Sequence, residues 1–120
     1  MSSIPRFAHL HLHSEYSLLD GCIRAADLAA HLERHGMEAA AVTDHGSLFG
    51  AIEFYDTLSG AGLKPIIGME AYLAPAGMAE RSAVPGRPGY YHLTLLALDE
   101  EGYRNLCRLS SIGYIEGFHY

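Results

Sequence analysis

Four histidines and two acids stand at spacings that suit metal chemistry. His11-Leu12-His13 offers two imidazoles at i and i+2 in an alternating run. On a strand, period two puts both on one face, where they can chelate one ion. Asp20 follows in Leu18-Leu19-Asp20-Gly21, a loop able to fold back over the strand end. Taken alone it is a turn aspartate ahead of glycine. His45 sits in Asp44-His45-Gly46, just beyond a short apolar run. In α/β folds that is the rim where ligands gather, although the triplet alone also reads as a turn opening a helix. Glu70 and His92 lie in two apolar runs whose midpoint is residue 81. In an antiparallel hairpin centred there, they stand directly opposite and face one side. A carboxylate and an imidazole in apolar strands are costly unless paired with each other or with a metal. His with carboxylate oxygen suits Zn, Mn or Fe, and Mg less well. A cluster this large points to two or more ions, a standard means of activating water for in-line phosphoryl displacement.

Other chemical residues carry weaker signals. His31 and His35 have the i, i+4 spacing of a helical zinc pair, but Leu32 stands where the zincin motif needs Glu. Cys107 falls on an apolar helix stripe and reads as core. His9 shares the face of His11 and His13 but sits deeper, beside the ligands or in the core. Tyr90 and Tyr91 could stack on a base, with packing the better reading.

The elements that must position these groups follow from periodicity. Residues 7–13 alternate and predict a strand. Residues 26–35 predict a helix, with Leu28 and Leu32 four apart and Gly36 as its stop. Residues 38–43 read as a short buried strand. A second helix is expected from Ser47 to about Leu58, with Leu48, Ile52 and Tyr55 as its apolar stripe and Gly60 and Gly62 ending it. Residues 64–73 form a strand. Residues 75–89, with three prolines and three glycines, form a loop. Tyr91 to Leu98 is another strand. Asp99 is an N-cap for a last helix with Tyr103, Leu106, Cys107 and Ser110 on one face. Strand and helix alternate, which predicts an α/β fold with a parallel sheet or barrel. The last strand follows a loop without a helix and should run antiparallel. Two or three βα units cannot close a barrel, which usually needs about 200 residues or more. An incomplete domain is therefore expected.

Bulk properties agree. The 120 residues are 49% apolar and 18% charged, a globular composition. Net charge is -6 with only 8 Lys+Arg, a poor basis for binding nucleic acid unless metals or other chain supply positive charge. Cys22 and Cys107 form no CxxC pair, which suits a reducing, cytoplasmic setting. Neither a signal peptide nor a membrane span is expected, because His9, His11 and His13 interrupt the first apolar run.

Several longer runs add a resemblance. Phe7-Ala8-His9-Leu10-His11-Leu12-His13-Ser14-Glu15-Tyr16-Ser17-Leu18-Leu19-Asp20-Gly21 resembles the opening of the PHP (polymerase and histidinol phosphatase) domain of bacterial C-family DNA polymerase III alpha subunits. Thr43 to Tyr55, Lys64 to Tyr72, His92 to Ala97 and Gly102 to Leu106 continue it. The resemblance implies a (β/α)7-type barrel, of which residues 7–120 are the N-terminal part, the first few βα units plus a β-hairpin, after a flexible stretch 1–6. It implies up to three divalent metals at the strand ends. By motif matching, His11 and His13 take the HxH role, Asp20 the carboxylate after it, His45 the TDH histidine, and Glu70 and His92 the next two. The pattern's later ligands, a further Cys or His and an Asp-x-His, lie beyond Tyr120. The implied function is a metal-dependent phosphoesterase or 3′–5′ exonuclease-type site within a DNA-directed DNA polymerase. The implied partners are the rest of the polymerase chain, DNA and a proofreading exonuclease subunit. Two other readings stand beside it. One is a metal-stabilised module that docks the proofreading subunit. The other is a free-standing phosphatase, which the long polymerase-type runs disfavour.

Overall fold

The computed structural model describes residues 7–80, 86 and 88–118. The expected flexible stretch 1–6 and part of the expected loop, residues 81–85 and 87, lie outside them. The elements run α1 (Ala25–Arg34), β1 (Ala39–Val42), α2 (Ala51–Gly60), β2 (Lys64–Leu73), β3 (Tyr91–Leu96) and α3 (Glu100–Ile112), then a π-helical turn Gly113–Gly117. The sheet order is β1-β2-β3. β1 and β2 are parallel from Ala39↔Lys64 to Val42↔Ile67. β2 and β3 are antiparallel from Gly68↔Leu96 to Leu73↔Tyr91. The α/β expectation and the antiparallel last strand both hold.

β2 changes partner at Gly68, and the glycine is needed there. A Cβ on it would stand 2.6 Å from the Leu95 carbonyl oxygen and 2.9 Å from Thr43 Cγ2. Helices α1 and α2 end alike. Gly36 (φ 64) and Gly62 (φ 73) take left-handed conformations. The following Met37 and Leu63 amides then donate back to Leu32 and Leu58 carbonyls, both at 2.9 Å. This is the Schellman arrangement that glycine permits. At α3 the Asp99 side chain accepts from Gly102 N, the expected cap.

The core gathers Leu12, Leu28, Ala29, Leu32, Ala40, Val42, Phe54 and Leu58, with Met37, Leu63 and Ile67 against it. Leu28 and Leu32 are the expected face of α1. For α2 the expected stripe is corrected. Ala51, Phe54 and Leu58 are buried, whereas Ile52 and Tyr55 are exposed. This helix carries two apolar stripes, and it starts at Ala51 rather than Ser47. Gly50, its N-cap, lies against the Tyr16 ring, where a Cβ would come within 2.7 Å of Cδ2. That contact turns the Phe54 side inward.

Three further expectations shift. Residues 7–13 are not a full strand: His9 bridges Ala40, and Ala41 N and Thr43 N donate to His9 O and Leu12 O. The Leu12 amide goes to Thr43 Oγ1 (2.9 Å), so a side chain ends the ladder. The hairpin register places Tyr72, not Glu70, opposite His92, with Glu70 opposite Thr94. A long Pro/Gly loop does not fix register by its midpoint; the Gly68 approach does. A slip of two residues keeps the face, so Glu70 and His92 still point together. β3 also ends at Leu96, two residues short of the expected Leu98, although Ala97 N still reaches Ile67 O at 2.8 Å.

Leu32 has no exposed surface, at the junction of α1 and the sheet. Leu32→Ala should cost about 2–5 kcal/mol through lost contact and a residual cavity. Denaturant unfolding of the full chain checks this; a cost below the range would show that the site collapses freely.

Candidate metal centre

The site lies where three parallel-running segments end, the N-terminal stretch, β1 and β2. This is the C-terminal rim that α/β folds use for ligands. Beyond β1, His45 bridges Glu70: Glu70 N donates to Asp44 O (3.0 Å) and Gly46 N to Glu70 O (2.9 Å). These bonds fix the Glu70 backbone beside the β1 exit.

Glu70 is 3% exposed and sits at the centre of the cluster. Its Oε2 is 2.7 Å from His11 Nε2 and 2.5 Å from His13 Nε2. Its Oε1 is 2.9 Å from His92 Nδ1. On the far side, Asp20 Oδ2 lies 3.0 Å from His45 Nε2 and 3.7 Å from His13 Nδ1. The His13 and His45 rings are 4.0 Å apart. All six residues singled out in the sequence therefore meet in one network. His9 packs edge-on against Phe7 instead, and His31 and His35 face each other on α1.

Electrostatics follow from this crowding. Burial alone would raise the Glu70 pKa, but hydrogen bonds from His11 and His13 and the charges of His11 and His92 outweigh it, and the net shift is downward. Asp20 is lowered chiefly by its hydrogen bond to His45. His45 Nδ1 is buried, with no hydrogen-bond partner among the described residues, and 3.9 Å from Glu70 Oε2. A buried nitrogen left unpaired is costly, so it calls for an electrophile. Three donor sets have ligand atoms within 4.8 Å of one another: His11, His13 and Glu70; His13, Asp20 and His45; and His45, Glu70 and His92. The donor types fit borderline divalent cations. His11, Asp20 and His92 are exposed, so the cluster is open on one side.

Two supporting residues escaped the sequence reading. Asp44 is 2% exposed and accepts from Ser14 N (2.7 Å), Ser14 Oγ (2.7 Å) and Ser17 Oγ (2.8 Å). It ties down the loop that carries Asp20. The signal available was an acid at the end of a buried strand, which needs donors, beside a loop rich in serine. The other is Tyr72, two residues past Glu70 on the same strand face. Its ring lies parallel to His45, with centroids 5.9 Å apart. Period two from Glu70 would have found it.

Residues 9–120 match the PHP domain family. The chain belongs to the PHP family. It is similar over its length to DNA polymerase III alpha subunits. It is 49% identical over 120 residues to that of Borreliella burgdorferi, covering 100% of this chain and 10% of the relative. It is 50% identical over 122 residues to that of Thermus aquaticus, covering 99% of this chain and 10% of the relative. The chain thus spans about a tenth of the length of the curated relatives it matches. Among solved structures, an amidohydrolase from Chromobacterium violaceum superposes with TM-score 0.59 at 21% identity, over 91% of this chain and 34% of the other. A Bifidobacterium adolescentis protein assigned as a metal-dependent phosphoesterase gives 0.56 at 16%, over 86% and 32%. These likenesses extend the PHP fold to the described sheet and helices.

The geometry makes two predictions. A Cβ on Gly21 would fall 1.8 Å from the Ser14 carbonyl oxygen. Gly21→Ala should therefore open the 14–21 loop and pull Asp20 from His45, seen as a lower Tm and as loss of the coupling between Asp20 and the His45 imidazole resonances. An unchanged Tm and coupling would refute the packing argument. The second concerns pH in the metal-free chain. The folded pKa of Glu70 lies below its ordinary value of 4.5. Its stabilising contribution is therefore present above that value and lost as pH falls through the lower folded value. Acid unfolding followed by circular dichroism should show this, and Glu70→Gln should flatten that part of the profile.

Proposed function

We propose that this chain is the PHP part of a bacterial DNA polymerase III alpha subunit and that its cluster holds divalent metals for phosphoester hydrolysis. The observation that carries the reading is the convergence of four imidazoles on two carboxylates around the unpaired His45 Nδ1. His11, His13, His45 and His92 would supply nitrogen, and Glu70 and Asp20 oxygen. Zn, Mn or Fe suit this mixture. The three donor sets overlap in His13, His45 and Glu70, which supports a shared cluster of two or three ions. Divalent cations held there would lower the pKa of water and offset charge on the displaced oxygen. The chain's own residues do the positioning. Glu70 orients three imidazoles, and Asp44 holds the loop that presents Asp20. Shared between two or three ions, six donors leave fewer than four per ion and so open positions for water, which favours catalysis. A 3′–5′ exonuclease-type activity, on DNA handled by the rest of the polymerase chain, is the fitting case. The reading as part of a replication polymerase implies a cytoplasmic setting. Among the described residues no helix is long and apolar enough to cross a membrane.

A second reading is a metal-stabilised module that docks a proofreading subunit. It is favoured by Leu18 and Leu19, exposed by 88% and 102% beside the site. The likeness to alpha subunits weighs against a free-standing phosphatase.

One variant separates the two. In the full-length protein, metal at a hundred times its Kd should stabilise the wild type by about 2.7 kcal/mol. His13→Ala should lose that gain and the metal-dependent hydrolysis of a phosphodiester, while primer extension survives. Loss of extension together with stability would favour the docking module. Unchanged hydrolysis would remove His13 from the ligands.

A further inference from the structure

The hairpin presents more rings to the site than a metal cluster needs. Tyr72 follows Glu70 by two residues on β2, and Tyr90 precedes His92 by two at the entry to β3, so period two puts all four on one face. Tyr72 stands opposite His92 in the ladder, with their rings 5.3 Å apart. The Tyr90 ring meets Tyr72 edge-on at 4.8 Å and lies 5.5 Å from His92. Gly46 (φ 59) brings the turn after His45 against this wall, since a Cβ there would reach 3.2 Å from Tyr72 Cε2. Tyr72 is thus held in place from several sides. Even so, Tyr72 and Tyr90 remain 50% and 55% exposed. Rings that served only to pack would bury their faces; these are ordered and bare, next to the cluster.

We propose that Tyr72 and Tyr90 form a stacking surface for the nucleobase attached to the phosphate at the metal cluster. This deepens, and rests on, the phosphoester reading above. The surface makes the site selective for phosphoesters of nucleotides in unpaired strands over those of plain sugars. Two observations support it. The parallel setting of Tyr72 on His45, at 5.9 Å, places a bare ring within one sugar unit of the ligand nitrogens. The chain has a net charge of -6 and few cations, so grip on a strand cannot come from Lys and Arg contacts here. Stacking supplies that grip without charge, and it tolerates any base because every base has a π-face.

The test compares deoxyadenosine 5′-monophosphate with 2-deoxyribose 5-phosphate, which lacks the base. Binding of each to the Mn2+-loaded full chain is measured by calorimetry. The wild type should bind the nucleotide roughly tenfold tighter than the sugar phosphate. In Tyr72→Leu and in Tyr90→Leu that ratio should fall towards one, and Tyr72→Phe should restore it. A purely structural defect would weaken both ligands together and leave the ratio in place. A wild-type ratio near one, or a ratio unmoved by both Leu variants, overturns the stacking surface while the phosphoester reading stands. Binding of neither ligand overturns both. Should Tyr72→Leu fail to fold, Tyr90→Leu decides alone, because the rings that Tyr90 meets, Tyr72 and His92, are themselves exposed.

Discussion

The whole site hangs on one carboxylate that has little water around it. Glu70 is 3% exposed and would be expensive to keep ionised without partners. Its neighbours His11, His13 and His92 come from segments distant in sequence, so the cost of burial is met only when the N-terminal stretch, β2 and β3 are all in place. The sheet guarantees this by holding β2 from both sides. Parallel pairing with β1 ends at Ile67 and antiparallel pairing with β3 begins at Gly68. A slip of one residue in either ladder would turn Glu70 to the other face. Gly68 guards against it, since only a residue without a side chain lets Leu95 and Thr43 approach so closely.

A second buried acid solves a different problem. Two serine hydroxyls and a backbone amide satisfy Asp44. Buried acids satisfied in this way fix geometry, because each donor has one place to stand. The loop 14–21 has little apolar content inside, and Leu18 and Leu19 point outward. Asp44 joins the loop's own turns and the Tyr16 ring on Gly50 in offsetting the entropy of ordering it. Asp44 and His45 are consecutive, so the residue that anchors the loop and the residue that meets Asp20 are set by the same turn. Support and ligand are thereby coupled through the backbone of one strand end.

Much of this was legible in the sequence because parity is robust. His11 and His13, or Glu70 and Tyr72, share a face whatever the exact register, and the midpoint error in the hairpin moved the pairing by two without turning a side chain over. Glycine stops at Gly36 and Gly62 were readable for a similar reason, since positive φ leaves few alternatives. What periodicity could not settle was a choice between equals. α2 carries two apolar stripes, and the one that faces inward is decided by Gly50 against Tyr16, a contact from 34 residues away. The early end of the N-terminal ladder was hidden too, because Thr43 Oγ1 replaces a main-chain carbonyl. Asp44 was read as a turn residue because its donors, Ser14 and Ser17, are adjacent only in space.

The charge pattern closes the argument about anions. The chain is acidic overall, which repels phosphate at a distance. Within the cluster, however, the donor sets among the described residues draw their carboxylates from Glu70 and Asp20, set against four imidazoles, a side chain that ligates in its neutral form. One divalent cation would bring that set to neutrality, and a second would make it positive. The sign of the site would then oppose the sign of its surroundings. An anionic group would be attracted only where the ions sit, in a cluster open on one side. Such an arrangement gives little non-specific affinity for a nucleic-acid backbone and strong local affinity for a single phosphate.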